Sequence, residues 1–526
     1  MKLRQGMVTV AVLLASFILG GWLLGRNRAE DRDLYLSAER LDQVVDLIGE
    51  SYVDSLDAAE LYGLALDGML DALGDPYTSI LRGEELRSMR MGLEGDYDGV
   101  GLRIEMADGW LMVITPIAGT PAESAGLEPG DRIVEVDGRS TFGWSSEDAV
   151  LALRGDAGTS VDLSIVRPGI DEVIEFTLER ATIPVSSVRF AGMVTESVGY
   201  IELETVGEGS AEQVREAVES VLARGAKKLI LDLRFNPGGL LNEGIDIADL
   251  FLDEGAGIAS TSGRGFGSTA TFDAKREQLW PDLPIIVLVN GYSASAAEII
   301  AGALQDNDRA LVLGERTFGK GLVQRLLPLS SDEQLRVTSS RWYTPSGRTI
   351  HRDRDRWGVL EHIVADSTSD TSAFLSVGGR ELVGGGGIIP DRELGAVESS
   401  VSAPPGFQDA IGSEFPVFRD VLVSYALEVR EQAQAVDTSF QVGRRMVEEF
   451  RNRLGRRDVV FSNAEWTSAR SFIEWQLKMT VIRFSLGRDS EMQLVLAHDP
   501  MIEEAARLLE AVVTPRELVF EAAQSN

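Results

Sequence analysis

The chain contains no cysteine, few histidines and little positive charge. The absence of cysteine excludes disulfides, thiolate metal sites and a cysteine nucleophile. Its 83 acidic residues outnumber the 50 lysines and arginines and give a net charge of −33, which disfavours binding to nucleic acid. The three histidines are His351, His362 and His498, and lysine is scarce as well. We expect neither a metal ion nor a cofactor, and we weigh each of these few residues as a candidate catalytic base.

The first residues predict a membrane anchor. An apolar run from Met7 to Leu24 is long enough to span a bilayer. Lys2 and Arg4 precede it, which favours an N-terminus that stays in the cytoplasm while the remainder is exported. A cleaved signal peptide would have small residues at its exit, whereas this run ends in Trp22-Leu23-Leu24. We therefore expect an uncleaved signal anchor over residues 1–28, with the other domains in the periplasm or at the cell exterior.

Residues 33–95 predict an amphipathic helical segment. Asp57 and Glu60 have the spacing of a capping box before an apolar run. Such helices beside a membrane anchor most often serve in packing or dimerisation, so a homodimer is expected to involve them. The apolar residues on one face of the first helix are Leu41, Val44, Val45 and Ile48.

Residues 98–182 predict short strands separated by turns. The run from Pro121 to Ile133, which contains a short helix, a tight turn and the start of a strand, resembles the signature of PDZ domains of the bacterial protease type. Glycines before the first strand would by themselves predict only a turn. With the PDZ resemblance, they imply a loop whose backbone N–H groups capture a C-terminal carboxylate while the peptide adds a strand. The expected tail-binding residues are Gly99, Val100, Gly101 and Leu102.

Residues 183–398 predict an α/β core. A strand, the helix Ala211–Arg224, a buried strand Lys228–Leu233 and the helix Leu241–Leu252 alternate, which is typical of a mostly parallel, covered sheet. Gly238 and Gly239 follow the buried strand and expose N–H groups at a helix start, where an oxyanion can bind. Asn-Pro-Gly is also a common turn, so this signal alone is weak. Residues 353–387 predict a surface insertion.

Residues 405–526 predict a C-terminal helical region. Expected helices cover 416–434, 440–454 and 464–486, and a last helix begins at Asp499-Pro500. In that pair Asp499 caps the helix and Pro500 takes its first position. No motif in this region indicates chemistry.

The stretch from Val287 to Gln324 predicts a nucleophile and its base. A buried strand ends in a turn that contains Ser293 and Ser295, and a helix follows at once. A serine needs a base to remove its proton, and no histidine lies in a segment suited to that role. Lys320 can be the base if burial lowers its pKa from about 10.4 towards neutrality. On a strand, Gln324 would point to the same face as Lys320 and could orient its amine.

Both candidates have an ordinary alternative. Ser295 and Glu298 have capping-box spacing, so Ser295 could simply cap its helix. An isolated lysine such as Lys320 is most often a surface residue whose ammonium reaches solvent. The residues themselves also leave Ser293 and Ser295 equivalent.

The runs Asn290–Ile299 and Gly314–Gln324 are similar to those of the C-terminal processing peptidases, also called tail-specific proteases. Several long motifs in the right order are far more specific than one, and the similarity extends from about residue 41 to residue 391. It implies a multidomain α+β fold: an N-terminal membrane helix, a helical segment, a PDZ domain, an α/β (crotonase/ClpP-like) peptidase core and a C-terminal helical region. The further motifs of the family are Leu73–Thr78, Leu231–Gly239 and Tyr343–Arg348.

The resemblance assigns roles to residues. It implies that Ser295 is the nucleophile, Lys320 the general base and Gln324 the residue that positions the lysine. Backbone N–H groups of Ala296 and of the turn that holds Gly238 and Gly239 are implied to form the oxyanion hole. The chain departs from the family's Ser-Ala-Ser-Ala-Ser run in its last place, where Ala297 stands, and no catalytic role depends on that position.

These features predict a membrane-anchored serine endopeptidase that cleaves proteins near their C-termini. Its partners would be protein substrates bound through their C-terminal tails, and the membrane through the N-terminal helix. The alternative is a catalytically idle, PDZ-containing scaffold that only binds protein tails. The presence of Ser295, Lys320 and Gln324 together argues against that alternative.

Overall fold

The computed structural model describes residues 36, 38–167, 170, 172–265, 267–352, 374–395, 403–432 and 436–521. The predicted membrane anchor, His362 and most of the predicted 353–387 insertion lie outside these residues. Within the described ranges, no helix has the length and apolar character needed to cross a membrane. The described residues form two compact units: one comprises the chain up to Ile80 with Leu335–Val337, and the other comprises the remainder.

The first unit contains the predicted amphipathic helices. Helix α1 covers 38–51, and helix α2 covers Ala58–Ala72 and is capped by Asp57, whose carboxylate accepts from the backbone N–H of Glu60 at 2.7 Å. Much of the apolar surface of these helices is exposed. The exposed apolar side chains of this pair include Leu41, Val44, Leu47, Ile48, Leu64, Leu66 and Met69.

The predicted PDZ segment is a small sheet with a helix beside it. Its strands run in the order β3-β4-β5-β7-β8, and β6 pairs with β5, whereas β2 and β9 form a separate antiparallel pair. Strand β3 is an edge of the sheet. The elements are α3 Gly83–Glu94, β2 Asp96–Gly99, β3 Leu102–Ala107, β4 Trp110–Pro116, α4 Pro121–Ser124, β5 Arg132–Val136, β6 Arg139–Ser140, α5 Ser146–Leu153, β7 Ser160–Val166, β8 Ile174–Glu179 and β9 Ala181–Pro184, and β1 Ser79–Arg82 precedes them.

A six-stranded sheet lies at the centre of the peptidase core. Its order is β10-β11-β12-β15-β16-β21, with β10 antiparallel to β11 and the other neighbours parallel. Parallel strands connected by helices bury both faces of the sheet, and the apolar runs of β12 and β15 fit that setting. The elements are β10 Val188–Met193, β11 Val198–Leu203, α6 Ser210–Ala223, β12 Lys228–Asp232, α7 Leu241–Asp249, β15 Ile285–Val289, α8 Ala296–Asp306, β16 Leu311–Gly314 and β21 Arg392–Glu393.

A second sheet completes the core. In it β13 lies between β14 and β18, and β17 pairs with β18. A short hairpin of β19 and β20 follows. The elements are β13 Gly257–Gly263, β14 Ala270–Asp273, β17 Leu322–Pro328, β18 Glu333–Tyr343, β19 Phe374–Leu375 and β20 Glu381–Leu382.

The C-terminal helices pack on the six-stranded sheet and on the PDZ sheet. Helices α6, α7 and α8 pack on one face of the six-stranded sheet, whereas α15 and α16 pack on the other. Helices α10 and α13 contact the PDZ sheet through Val423, Leu427 and Phe484. The elements are α9 Pro405–Ile411, α10 Phe415–Gln432, α11 Arg444–Arg456, α12 Asn463–Ser468, α13 Arg470–Leu486, α14 Arg488–Leu496, α15 Pro500–Glu510 and α16 Pro515–Glu521.

Candidate active site

Two turns meet at one edge of the six-stranded sheet. Strands β12 and β15 are parallel neighbours, so their carboxyl ends lie side by side and the turns that follow them adjoin. The N–H of Ala294 donates to the carbonyl of Asn236 at 2.9 Å, and the N–H of Phe235 donates to Asn290 Oδ1 at 3.0 Å. The glycine turn of residues 234–239 is thereby held against the serine turn of residues 290–295.

Gly238 lies directly against the predicted nucleophile. A Cβ added there would come within 2.8 Å of both the backbone nitrogen of Ala296 and Ser295 Cβ, and its φ of 89° also requires glycine. The N–H of Gly238 donates to Asn236 Oδ1 at 2.8 Å. Gly239 is equally restricted, since a Cβ there would stand 2.0 Å from the carbonyl oxygen of Val206. Three of the predicted site residues, Gly238, Ser295 and Ala296, are therefore brought together.

The two serines of the turn differ in their surroundings. Ser293 is fully buried; its hydroxyl donates to the carbonyl of Leu233 at 2.8 Å and accepts from the N–H of Asn290 at 3.0 Å. Ser295 lies at the start of α8 with a φ of 54°, an unfavourable value for a residue with a side chain. Such strain often marks a functional position. The Ser293 hydroxyl is thus used in hydrogen bonds to the backbone, whereas Ser295 is the serine with the strained backbone.

The clear hydrogen bond of the predicted capping box is the one that the backbone of Ser295 donates to Glu298. The N–H of Ser295 donates to Glu298 Oε2 at 2.9 Å. The N–H of Glu298 donates to the carbonyl oxygen of Ser295 at 2.9 Å, and across the described residues the Ser295 side chain makes no cap hydrogen bond.

Glu298 connects the two predicted dyad residues. Its Oε2 accepts from the backbone N–H groups of Ser295 and Lys320, at 2.9 and 2.8 Å. Its Oε1 accepts from the N–H of Gly319 at 2.7 Å and from the hydroxyl of Thr317 at 2.5 Å. Burial raises the pKa of the Glu298 carboxyl, and these hydrogen bonds partly oppose that rise. Glu298 is completely buried, so this carboxylate fixes the backbone of both residues at once.

The sequence predicted Glu298 only as a capping partner. The missed signal was an acidic residue in a helix whose other early positions are Ala296, Ala297, Ile299 and Ile300. A buried carboxylate needs several donors, and the glycines around Lys320 leave backbone N–H groups that can reach it.

Lys320 and Gln324 contact each other as predicted, although they do not both lie on one strand. The Nζ of Lys320 donates to Gln324 Oε1 at 3.1 Å. Lys320 precedes β17, which begins at Leu322, so the contact is not one between residues of a single strand. The carbonyl of Lys320 accepts from Trp342 Nε1 at 3.0 Å. The lysine is only partly buried, whereas its backbone is fixed from two sides.

The two described histidines pack against other parts of the chain. The ring of His498 packs on Trp475 with centroids 4.8 Å apart, and its Nδ1 lies 2.8 Å from the carbonyl of Leu494. His351 packs against Gly321, where an added Cβ would be 2.9 Å from His351 Cβ. Within the described ranges, no group of three or more histidine, aspartate or glutamate side chains could hold a metal ion.

The four predicted tail-binding residues line one groove of the PDZ segment. The groove has an empty volume of about 350 Å³ and lies between the edge strand β3 and helix α5. Gly101 has a φ of 78°, and a Cβ there would stand 2.3 Å from Thr120. Sequence reasoning missed the opposite wall of the groove. The lining comprises Tyr97, Gly99, Val100, Gly101, Leu102, Ile104, Val150, Leu153 and Arg154.

Three family models match the chain. The model for Peptidase family S41 matches residues 197–365, and that for a PDZ domain matches residues 112–167. The model described as the activating protease CtpB N-terminal domain matches residues 25–84. The matches fall on the α/β core, the small β-rich segment and the N-terminal segment in turn.

Curated proteins with similar sequences carry one activity in their names. The carboxy-terminal-processing protease of Bartonella bacilliformis is 38% identical over 64% of this chain and 77% of its own length. The carboxy-terminal processing protease CtpA of Bacillus subtilis is 35% identical over 65% of this chain and 72% of its own length. Among solved structures, a photosystem II D1 C-terminal processing protease is 27% identical with a TM-score of 0.36, over 68% of this chain and 92% of that one. The chain belongs to the carboxy-terminal-processing proteases, PDZ-containing serine peptidases of family S41.

Proposed function

We propose that this protease hydrolyses peptide bonds with a dyad of Ser295 and Lys320, positioned by Gln324. The observation that carries the proposal is the shared carboxylate of Glu298, which accepts from the backbone N–H groups of both dyad residues. The amine of Lys320 is directed by Gln324 at 3.1 Å. The idle-scaffold alternative gives no reason for a buried carboxylate that orders these two backbones together.

The reaction follows from this arrangement. In its neutral form the Lys320 amine removes the Ser295 proton as the hydroxyl oxygen attacks the scissile carbonyl carbon, and it then donates that proton to the leaving amine. The ester so formed is hydrolysed by a water that the same amine deprotonates. The tetrahedral oxyanion accepts from the N–H of Ala296 and from an N–H of the glycine turn. If the donor is the N–H of Gly238, the oxyanion would replace Asn236 Oδ1 as its acceptor. If the donor is the N–H of Gly239, no acceptor has to be replaced.

The substrate's C-terminal tail would bind in the PDZ groove. Strand β3 presents a free edge among the described strands of its sheet, so an extended peptide can pair with it. Apolar side chains line the groove: Val100, Leu102, Ile104, Val150 and Leu153. An apolar C-terminal residue is therefore expected, with its carboxylate at the glycine loop.

Anchoring and assembly belong to the N-terminal part of the chain. The apolar run Met7–Leu24, preceded by basic residues, supports a membrane-anchored protease whose domains lie outside the cytoplasm. The exposed apolar faces of α1 and α2 support their pairing with the same helices of a second copy, because contiguous apolar patches mark interaction sites.

The test compares wild type, Ser295→Ala and Lys320→Ala on a protein with an apolar C-terminal tail. We expect each variant to lose several orders of magnitude in kcat, because members of a catalytic unit are not additive. An acyl-serine probe should label wild type at Ser295. Equal cleavage by the variants would disprove the dyad, and unlabelled, inactive wild type would favour the tail-binding scaffold.

A further inference from the structure

A carboxylate at the start of helix α15 has two separate tasks. Its Oδ1 caps the helix, accepting from the N–H groups of Met501 and Ile502 at 2.9 and 3.2 Å, as the sequence predicted for Asp499. Its Oδ2 accepts from Arg234 Nη1 at 2.9 Å. Arg234 begins the glycine turn, so Asp499 joins a helix near the chain's end to the predicted oxyanion turn. Asp499 lies outside the ranges that the family models match, whereas Arg234 lies within the range matched by Peptidase family S41.

Arg234 is held from both sides. Its Nη2 and Nε donate to Asp232 Oδ2 at 2.6 and 2.9 Å, and its backbone N–H donates to Asp232 Oδ1 at 2.9 Å. Tyr200 donates its hydroxyl to the same Asp232 at 2.8 Å. The Arg234 and Asp499 side chains are 15% and 20% exposed. Partly buried, charge-assisted hydrogen bonds of this kind impose a definite geometry.

The position of Arg234 bears on the catalytic residues. The next residue, Phe235, has a φ of 62°, so the turn holds a strained path that its surroundings must maintain. Three residues after Phe235, Gly238 lies so close to Ser295 and the nitrogen of Ala296 that a Cβ would not fit between them. A shift at Arg234 would therefore move the N–H groups that face the substrate.

We infer that Asp499 is a positioning residue for the oxyanion turn, acting through Arg234. The C-terminal helices thus contribute to catalysis as well as covering the sheet. This inference rests on the proposed function, in which the glycine turn supplies an oxyanion donor. It extends that function to a residue more than two hundred positions away in the sequence.

If the role of Asp499 were purely structural, it would only hold α15 on the sheet. A second ion pair of the same helix provides a control for that role. Glu504 pairs with Arg392 of β21 at 3.1 Å, and its side chain is 20% exposed, the same fraction as that of Asp499. Arg392 lies on β21, whereas the glycine turn follows β12. Glu504→Gln therefore removes a comparable contact between α15 and the sheet without touching Arg234.

The experiment compares Asp499→Asn with Glu504→Gln in the full chain. Asparagine keeps the capping oxygen but presents an NH2 group or a neutral oxygen to Arg234. We expect kcat to fall about 10- to 100-fold, since a misplacement of about 1 Å costs about that much, with KM within about twofold. The affinity for a peptide aldehyde, whose adduct places an oxyanion in the hole, should fall by a similar factor. Glu504→Gln should keep both values within about twofold of wild type.

Two further measurements keep the inference falsifiable. Asp499→Ser also retains a good cap and should reproduce the loss in kcat if Asp499→Asn folds poorly. Binding of a tail peptide to the PDZ groove should be unchanged in every variant. Equal kcat and aldehyde affinity in the Asp499 and Glu504 variants would overturn the inference while the proposed function stands. Wild type that neither cleaves its substrate nor forms the adduct would refute both.

Discussion

Replacing Glu298 with glutamine should impair both folding and catalysis. Each carboxylate oxygen of Glu298 accepts two hydrogen bonds: Oε2 from Ser295 and Lys320, and Oε1 from Gly319 and Thr317. The amide of glutamine has one oxygen and one NH2 group, so two of these donors would face another donor. Since the site is completely buried, water cannot take the place of the lost acceptor.

The magnitude follows from the two donors left without an acceptor. Each buried, unsatisfied donor costs about 1–3 kcal/mol, so Glu298→Gln should lower the free energy of unfolding by about 2–6 kcal/mol. That is a large part of the roughly 5–15 kcal/mol of a typical domain. If the NH2 group replaces Oε2, the backbones of Ser295 and Lys320 separate, and kcat should fall about 100-fold or more.

Urea unfolding and initial rates of cleavage measure the two effects. Glu243→Gln is the matched control, because Glu243 also accepts from two backbone N–H groups, those of Gly209 and Ala211, each at 3.0 Å. Those groups belong to helix α6 and its cap rather than to the serine turn or the Lys320 loop, so the control should lose some stability and keep its kcat at temperatures where it is folded. If Glu298→Gln matched wild type in both stability and kcat, the carboxylate would not be what orders the dyad.

Four other substitutions test single contacts. Gly238→Ala should abolish cleavage, because its Cβ would overlap the serine turn, and normal rates would exclude that close approach. Ser293→Ala should lose about 1–3 kcal/mol of stability but keep acyl-serine labelling, the reverse of Ser295→Ala. Gly101→Ala should prevent tail-peptide binding measured by calorimetry, because its Cβ would overlap Thr120 at 2.3 Å. Burial raises the pKa of Glu202, so ionisation of this carboxyl opposes folding. The stability of Glu202→Gln relative to wild type should therefore increase as pH rises above about 4.3. A difference in stability that does not depend on pH would contradict this.

Local patterns predicted the local structure well. The apolar run Lys228–Leu233 is the central strand β12, and the capping signals at Asp57 and Asp499 mark helix starts as expected. Those features depend on residues close together in the sequence, where periodicity and capping chemistry are informative. Helix 464–486 was expected as one piece and is two, α12 and α13, with Ala469 between them.

The site required more than periodicity. Ser293 and Ser295 are equivalent in the sequence, and only the fold shows that the hydroxyl of Ser293 is used by Leu233, sixty residues away. The Lys320–Gln324 contact was expected from strand alternation, yet the lysine lies in the loop before the strand. The contact was therefore predicted by an incorrect local argument. The glycines on both sides of Lys320 let its loop approach Glu298, and secondary-structure propensities do not describe such a loop.

The same limit explains why the C-terminal helices carried no predicted role. Asp499 has the sequence signature of a helix cap, and one of its oxygens does cap. The other oxygen has no signature, because its partner Arg234 is brought near only when α15 covers the sheet face opposite α8. A side chain with two acceptors can satisfy a local rule with one and a distant residue with the other. A cap residue at a half-buried helix start is therefore a place to look for long-range contacts, and here that contact leads to the glycine turn.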